Sequence, residues 1–275
     1  MKTEDIQTKK EDINTNEEVN QNKNEDKNIS IERELKTFVK YVQNISKLPK
    51  TKFIIFGLGR SGSTLLVSLL NANPKIHCEG EALIHKVQNP FLFTKCRQAF
   101  STKEVYGFKL LLYHLIDVQE IDKPAKFISR LLKEGFKLIH LKRQNILRQV
   151  LSGMYARHLG TFHMFSGNEN IAKDKMTIDI DRLLNKLKST EKKGMSEVNI
   201  LRNLPHISFT YEEDLMNQES QQATVDKITE YLEIPTSEIH TDHMKIAPNR
   251  FEDFIENAEE LIEVLGKTKY KEFLD

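Results

Sequence analysis

The chain has 275 residues, enough for one substantial domain and short for two. Lys+Arg 41 against Asp+Glu 40 leaves no global basic field, so nucleic acid is excluded as an expected partner and any anion site must be built locally. The 2 cysteines form no disulfide framework, no apolar run approaches the roughly 20 residues that span a bilayer, and Met1-Lys-Thr-Glu-Asp-Ile is too polar for a secretory signal; a cytoplasmic protein with no integral membrane segment is expected.

Residues 1–30 are rich in Asn, Glu, Lys, Asp and Gln and nearly devoid of large apolar side chains. Such a segment cannot bury enough surface to offset its ordering entropy, and a disordered tail is expected there, with one domain over residues 31–275. Ser30 reads as a helix cap ahead of Ile31, Leu35, Phe38, Val39 and Val42, which recur at helical spacing. Phe53-Ile-Ile-Phe56 is a short apolar strand, and Ser63–Asn71 a helix stopped at Asn73-Pro74. Val105–Leu112 and Phe136–Leu141 read as further strands, with a helical stretch at Phe127–Lys133 between them. Asn145–His158 and Ile178–Leu201 read as helices, His206–Tyr211 as a fourth strand, and Thr224–Leu232 and Phe251–Leu265 as closing helices. Strands separated by helices imply right-handed crossovers, hence an α/β fold with a mostly parallel central sheet flanked by helices.

The densest chemical signal is Gly57-Leu-Gly-Arg-Ser-Gly-Ser-Thr64. A buried strand runs into a glycine-rich turn and then a helix, so backbone N–H groups and a helix dipole converge on one point that favours an anion. A Walker A loop would need lysine where Ser63 stands, which argues against an ordinary kinase or ATPase. Gly57, Gly59 and Gly62 match the dinucleotide fingerprint, with Glu79 or Glu81 as the acidic residue downstream. An NAD(P)-binding Rossmann-type oxidoreductase is therefore the alternative, although the charged Arg60 is ill-suited to close pyrophosphate approach.

Gly59-Arg-Ser-Gly-Ser-Thr-Leu-Leu66, Leu70-Asn-Ala-Asn-Pro74 and Cys78-Glu-Gly-Glu81 together resemble the 5′-phosphosulfate loop of carbohydrate sulfotransferases, most nearly bacterial ones acting on nodulation factors, lipopolysaccharide or trehalose. The resemblance extends over about residues 52–274 and implies a three-layer P-loop-like fold. The co-substrate it implies is 3′-phosphoadenylyl sulfate (PAPS), the product 3′-phosphoadenosine 5′-phosphate (PAP), and the acceptor a carbohydrate or glycolipid hydroxyl, with no metal required. It assigns Arg60, Ser61, Gly62, Ser63 and Thr64 to the 5′ side of the donor. Leu138 to Ser152 resembles the family's 3′-phosphate element, which implies Arg143 and Ser152 on that phosphate, with Gln149 recurring nearby. Ser208-Phe-Thr-Tyr-Glu-Glu-Asp-Leu215 resembles a packing segment of the same family.

Sulfuryl transfer requires an oriented acceptor, charge neutralisation at the leaving group and removal of a proton. Arg60 is the expected charge stabiliser and Glu81 the expected base, with Glu79 the near alternative. Lys109 is expected at the acceptor or sulfate, and His114 is a possible second base among packed neighbours. His240-Thr-Asp-His243 has metal-like residue types but too little else. Acceptor-binding loops are expected within Glu81–Lys103 and His158–Met176, and Lys245–Arg250 over the adenine.

Overall fold

The computed structural model describes residues 31–161, 164–165, 174–239, 243–244 and 248–274. The tail over residues 1–30, His163, His240 and the stretch 245–247 lie outside them, as does part of the expected loop His158–Met176, whereas Glu81–Lys103 is described throughout; of His243 only the backbone is described.

A helix over residues 31–43 (α1) precedes β1 (Thr51–Gly57), whose apolar run pairs on both sides: Ile55 lies opposite Lys109 and Ile139. There follow α2 (Ser63–Ala72), β2 (Ile76–Glu81), α3 (Pro90–Arg97), β3 (Val105–Leu111), α4 (Pro124–Lys133), β4 (Phe136–Lys142) and α5 (Ile146–His158). Next come a two-residue β5 (Met164–Phe165), α6 (Ile180–Leu201), β6 (Ile207–Thr210), α7 (Tyr211–Asp214), α8 (Gln218–Leu232), β7 (His243–Met244) and α9 (Ala258–Gly266). The main sheet has the order β2-β3-β1-β4-β6, and every neighbouring pair is parallel. Parallel strands place all five carboxyl ends on one edge, where open α/β sheets hold ligands.

Both faces of the sheet are covered, which gives three layers. Phe53 and Ile55 point into one core with Leu66, Leu69, Val225 and Ile228 of α2 and α8. Ile54, Phe56, Phe108 and Leu110 point into the other with Phe127, Ile128 and Leu131 of α4. A third cluster joins α5, α6 and α9 through Leu147, Leu151, Tyr155, Leu183, Leu187 and Leu261. No helix among the described residues is long and apolar enough to cross a membrane.

Three features depart from the sequence expectation. Ile76–Glu81 is a strand although its sequence is polar, because it is an edge strand with only Ile76 and Cys78 facing the α2 core. Asn71 helps hold it by bracketing Cys78, accepting its N–H and donating to its carbonyl, both at 2.8 Å. Residues 90–97, inside an expected loop, form α3, started by Pro90 and capped by the Asn89 side chain. The expected helix Phe251–Leu265 is broken: Phe254 and Glu256 bond to Met176, and the Asn257 amide brackets Ile178, so helical bonding resumes only at Ala258.

Candidate functional site

The glycine loop leaves β1 past β4 at very close range. A Cβ on Gly57 would sit 2.3 Å from the Leu141 carbonyl oxygen, so no side chain fits there. The chain then turns through left-handed backbone at Arg60 (φ 66) and Gly62 (φ 90). Gly62 is the N-cap of α2 and offers no side chain to the first N–H groups of that helix. The Ser61 side chain is fully buried, and its hydroxyl has no hydrogen-bond partner among the described residues.

Two guanidinium groups converge on this loop. Arg60 donates from Nη2 and Nε to Ser152 Oγ at 2.9 and 3.3 Å, and Arg143 donates from Nη1 to the Arg60 carbonyl at 3.3 Å. Gln149 Nε2 donates to the Gly59 carbonyl at 2.7 Å, so α5 grips the loop at successive points. Burial lowers the pKa of Arg60, and the neighbouring Arg143 lowers it further; burial likewise lowers that of Arg143. Both groups stay cationic, and Arg143 already has Glu212 Oε1 3.5 Å from its Nε; an anion at the loop would offset the burial of both. Resemblance puts Arg143 and Ser152 on one phosphate; in this structure Ser152 accepts from Arg60, because the inner face of α5 packs across the loop, and Arg143 lies just past β4 beside it.

The segment after β6 backs this arrangement. Tyr211 lies under the Arg143 guanidinium, 4.6 Å from ring centroid to carbon, and a Cβ on Gly62 would meet the same ring at 2.4 Å. Glu212 accepts the Gln144 and Asn145 N–H groups at 2.8 and 3.1 Å, pinning the β4–α5 turn that carries Arg143. Arg148 stacks on Phe251 at 3.8 Å and donates to the Pro248 carbonyl at 3.5 Å, which draws the described end of the segment expected over the adenine against α5.

A second group of side chains lies on the β2–β3 side. Lys109 is buried, and its Nζ contacts Glu81 Oε1 at 2.9 Å and Thr64 Oγ1 at 3.0 Å. Tyr113 donates to Glu81 Oε2 at 2.5 Å. His114 is fully buried; its Nδ1 accepts the Leu111 N–H at 3.0 Å, so the neutral ring carries its proton on Nε2 and donates it to Glu81 Oε2 at 3.1 Å. Burial alone would raise the Glu81 carboxyl, but the His114 hydrogen bond, the Lys109 charge and the Tyr113 hydroxyl together hold it far below the usual carboxylate range. His114 therefore orients Glu81 and, in this tautomer, has no free lone pair with which to act as a second base.

Glu79 is fully engaged elsewhere. It accepts Arg97 Nη2 and Nε at 2.7 and 3.1 Å and Tyr106 Oη at 3.0 Å. In a regular strand Glu79 and Glu81 would share a face. A break in register between them, at Gly80, sends Glu79 to α3 and Glu81 to Lys109. Arg97→Ala is expected to cost about 2–4 kcal/mol of stability in denaturant titration, because it strands a largely buried carboxylate. The same change should leave ligand binding at the glycine loop intact.

The structure thus assembles Arg60, Ser61, Gly62, Ser63, Thr64, Lys109, Glu81, Arg143 and Ser152 along the carboxyl edge of the sheet. Tyr113, Tyr211 and Glu212 join them without having been singled out as functional; the only local signal for each was its place just past the end of a strand. His158 stacks on Tyr155, a packing role. Among the described residues no group of three or more His, Cys, Asp or Glu side chains is placed to hold a metal ion. No family model matches the chain, and no curated protein matches it in sequence.

Proposed function

We propose that the protein is a sulfotransferase that moves a sulfuryl group from PAPS to a hydroxyl of a carbohydrate or glycolipid. The observation that supports it best is Ser61, a fully buried hydroxyl without a hydrogen-bond partner among the described residues. It stands between the left-handed residues Arg60 and Gly62 at a helix N-terminus without a side-chain cap, on the loop that the half-buried Arg60 and Arg143 guanidinium groups flank. Such a site asks for an anion with several acceptor oxygens.

In this proposal the loop from Arg60 to Thr64 holds the 5′-phosphosulfate, Arg143 binds the 3′-phosphate, and Ser152 positions the Arg60 guanidinium. The acceptor oxygen forms its bond to sulfur as the bond between sulfur and the 5′-phosphate oxygen breaks. PAP leaves with that electron pair, Arg60 and Lys109 balance the developing charge, and Glu81 takes the acceptor proton. The acceptor hydroxyl reaches Glu81 Oε2 by replacing Tyr113 Oη, which removes one of the donors that depress the carboxylate. The proposed location is cytoplasmic, in keeping with Cys78 and Cys96, which are buried and unpaired.

The oxidoreductase alternative wants the acidic residue at the end of a strand next to β1, as in the order 3-2-1-4-5-6. Here β3 lies next to β1 and β2 is the sheet edge, so neither Glu79 nor Glu81 ends a strand adjacent to the loop strand.

The deciding measurement is transfer of labelled sulfate from PAPS across a panel of sugar acceptors, alongside thermal shifts with PAP and with NAD(P). Transfer with stabilisation by PAP is expected. Stabilisation by a dinucleotide and none by PAP would overturn the proposal. A pH profile adds a test of Glu81. Its depressed pKa keeps it ionised well below neutral pH, so wild-type kcat/KM should show no acid limb from this group near pH 5. Tyr113→Phe removes one donor to the ionised form, so the Glu81 pKa should rise and any acid limb should move upward, while His114 and Lys109 still hold it low.

A further inference from the structure

Helix α1 turns its polar side inward and its apolar side out. Glu34 accepts the Gln88 and Asn89 N–H groups at 2.6 and 3.0 Å, Arg33 lies 5.1 Å over the Phe93 ring, and Thr37 is buried. These contacts fix the roll of the helix on the body. The opposite side carries Ile31, Leu35, Phe38, Val39, Val42 and, just beyond the helix, Ile45, each between 44% and 63% exposed. An amphipathic surface helix normally does the reverse.

The spacing of the exposed residues says what they fit. Positions 31, 35, 38 and 42 step by four, three and four, which is the narrow seam of a helix that packs against another helix, and Ile45 follows in the turn beyond. A helix lying on lipid uses a broader apolar face, and here Val39 alone widens the seam. We propose that α1 is the interface of a homodimer, in which the seams of two copies pack antiparallel about a two-fold axis. Such an interface is self-complementary, so one exposed seam implies its own partner.

Charge sets the orientation. Glu32 at the start of the seam is exposed and ion-paired with Lys36 of its own helix at 2.6 Å, while Lys40 is exposed toward the end of the helix and Lys47 in the short turn beyond it. Antiparallel packing keeps the two N-terminal tails at opposite ends of the pair. Parallel packing would instead bring two 30-residue tails together at Ile31, each with eight acidic residues against five lysines. The same acidic excess at the head of the seam opposes an anionic bilayer as the occupant. The tail itself is a poor cover, since Met1, Ile6, Ile13, Val19 and Ile29 are its only large apolar residues. With six large side chains about half exposed, pairing would cover on the order of 1,000 Å² in all, the low end for specific interfaces. A reversible dimer with a Kd on the order of micromolar is expected.

The test is sedimentation velocity of the full chain over a concentration series on the order of 1–100 μM. The wild-type protein should pass from monomer to dimer across the series. Leu35→Lys and Val42→Lys change exposed side chains outside the proposed catalytic machinery, so circular dichroism and melting should be unchanged while Kd weakens by at least about tenfold. Met195→Lys, at a 67% exposed position on α6, should associate like wild type. A wild-type chain that stays monomeric throughout, or seam variants that associate as tightly as wild type, would overturn the proposal. Loss of association on deleting residues 1–30 would overturn it in favour of the tail. Flotation of a monomeric chain with phosphatidylcholine–phosphatidylglycerol vesicles, abolished by Leu35→Lys, would overturn it in favour of a bilayer. None of these outcomes depends on sulfuryl transfer.

Discussion

Glu81→Gln is expected to lower turnover by about 10²- to 10⁴-fold while the thermal shift produced by PAP stays close to that of wild type. The change keeps the shape of the side chain and leaves an oxygen for Tyr113, His114 or Lys109, but it removes the carboxylate that takes the acceptor's proton in the proposed reaction. The proposed donor loop is held from its other side, by Gln149, Ser152 and Arg143, so PAP affinity should not follow turnover down. Lys109 is buried and would lose its counter-charge, so a fall in melting temperature is also expected and must be measured beside the kinetics. Equal losses in turnover and PAP affinity would assign Glu81 to binding or folding.

Gly57→Ala is expected to cost about 3 kcal/mol, or roughly 6–12 °C in melting temperature for a domain of this size. The added methyl would lie 2.3 Å from the Leu141 carbonyl oxygen, and that oxygen is main chain inside β4, so it cannot swing aside. Relief requires prising β1 from β4 at the point where the loop begins, so the anion site should be lost with the stability. Gly59→Ala is the control, since its added Cβ meets nothing within 4 Å. It should change stability by no more than about 0.5 kcal/mol. A Gly57→Ala protein as stable as wild type would show that the β1–β4 edge is looser than its geometry says.

Much of the scaffold was legible because its signals are local. A run such as Phe53-Ile-Ile-Phe56 can only be buried, and the glycines after it can only turn, so the β1–loop–α2 unit is readable in one pass. Arg143 at the end of β4 and Lys109 in β3 were legible for the same reason, since position in a parallel strand fixes nearness to the carboxyl edge. Polar β2 was not legible. Its strand character comes from β3 beside it and from the Asn71 side chain, and neither leaves a period in its own sequence.

The strands β1, β3, β4 and β6, the helices α2, α4, α5 and α6 between them, and the glycine loop were determined by the sequence alone, because burial and turning are properties of a few consecutive residues. Which of two glutamates two positions apart faces Lys109 was set only in the tertiary structure. The broken register at Gly80 gives Glu79 to Arg97 and Tyr106, and gives Glu81 to Lys109, Tyr113 and His114. The same holds for Ser152, drawn to Arg60 across 92 residues of chain, and for the outward face of α1, whose helical period was plain but whose direction was not. Periodicity reports that a helix has two faces; which one meets the body depends on the polar groups, here the Gln88 and Asn89 N–H groups, that tertiary folding brings to it.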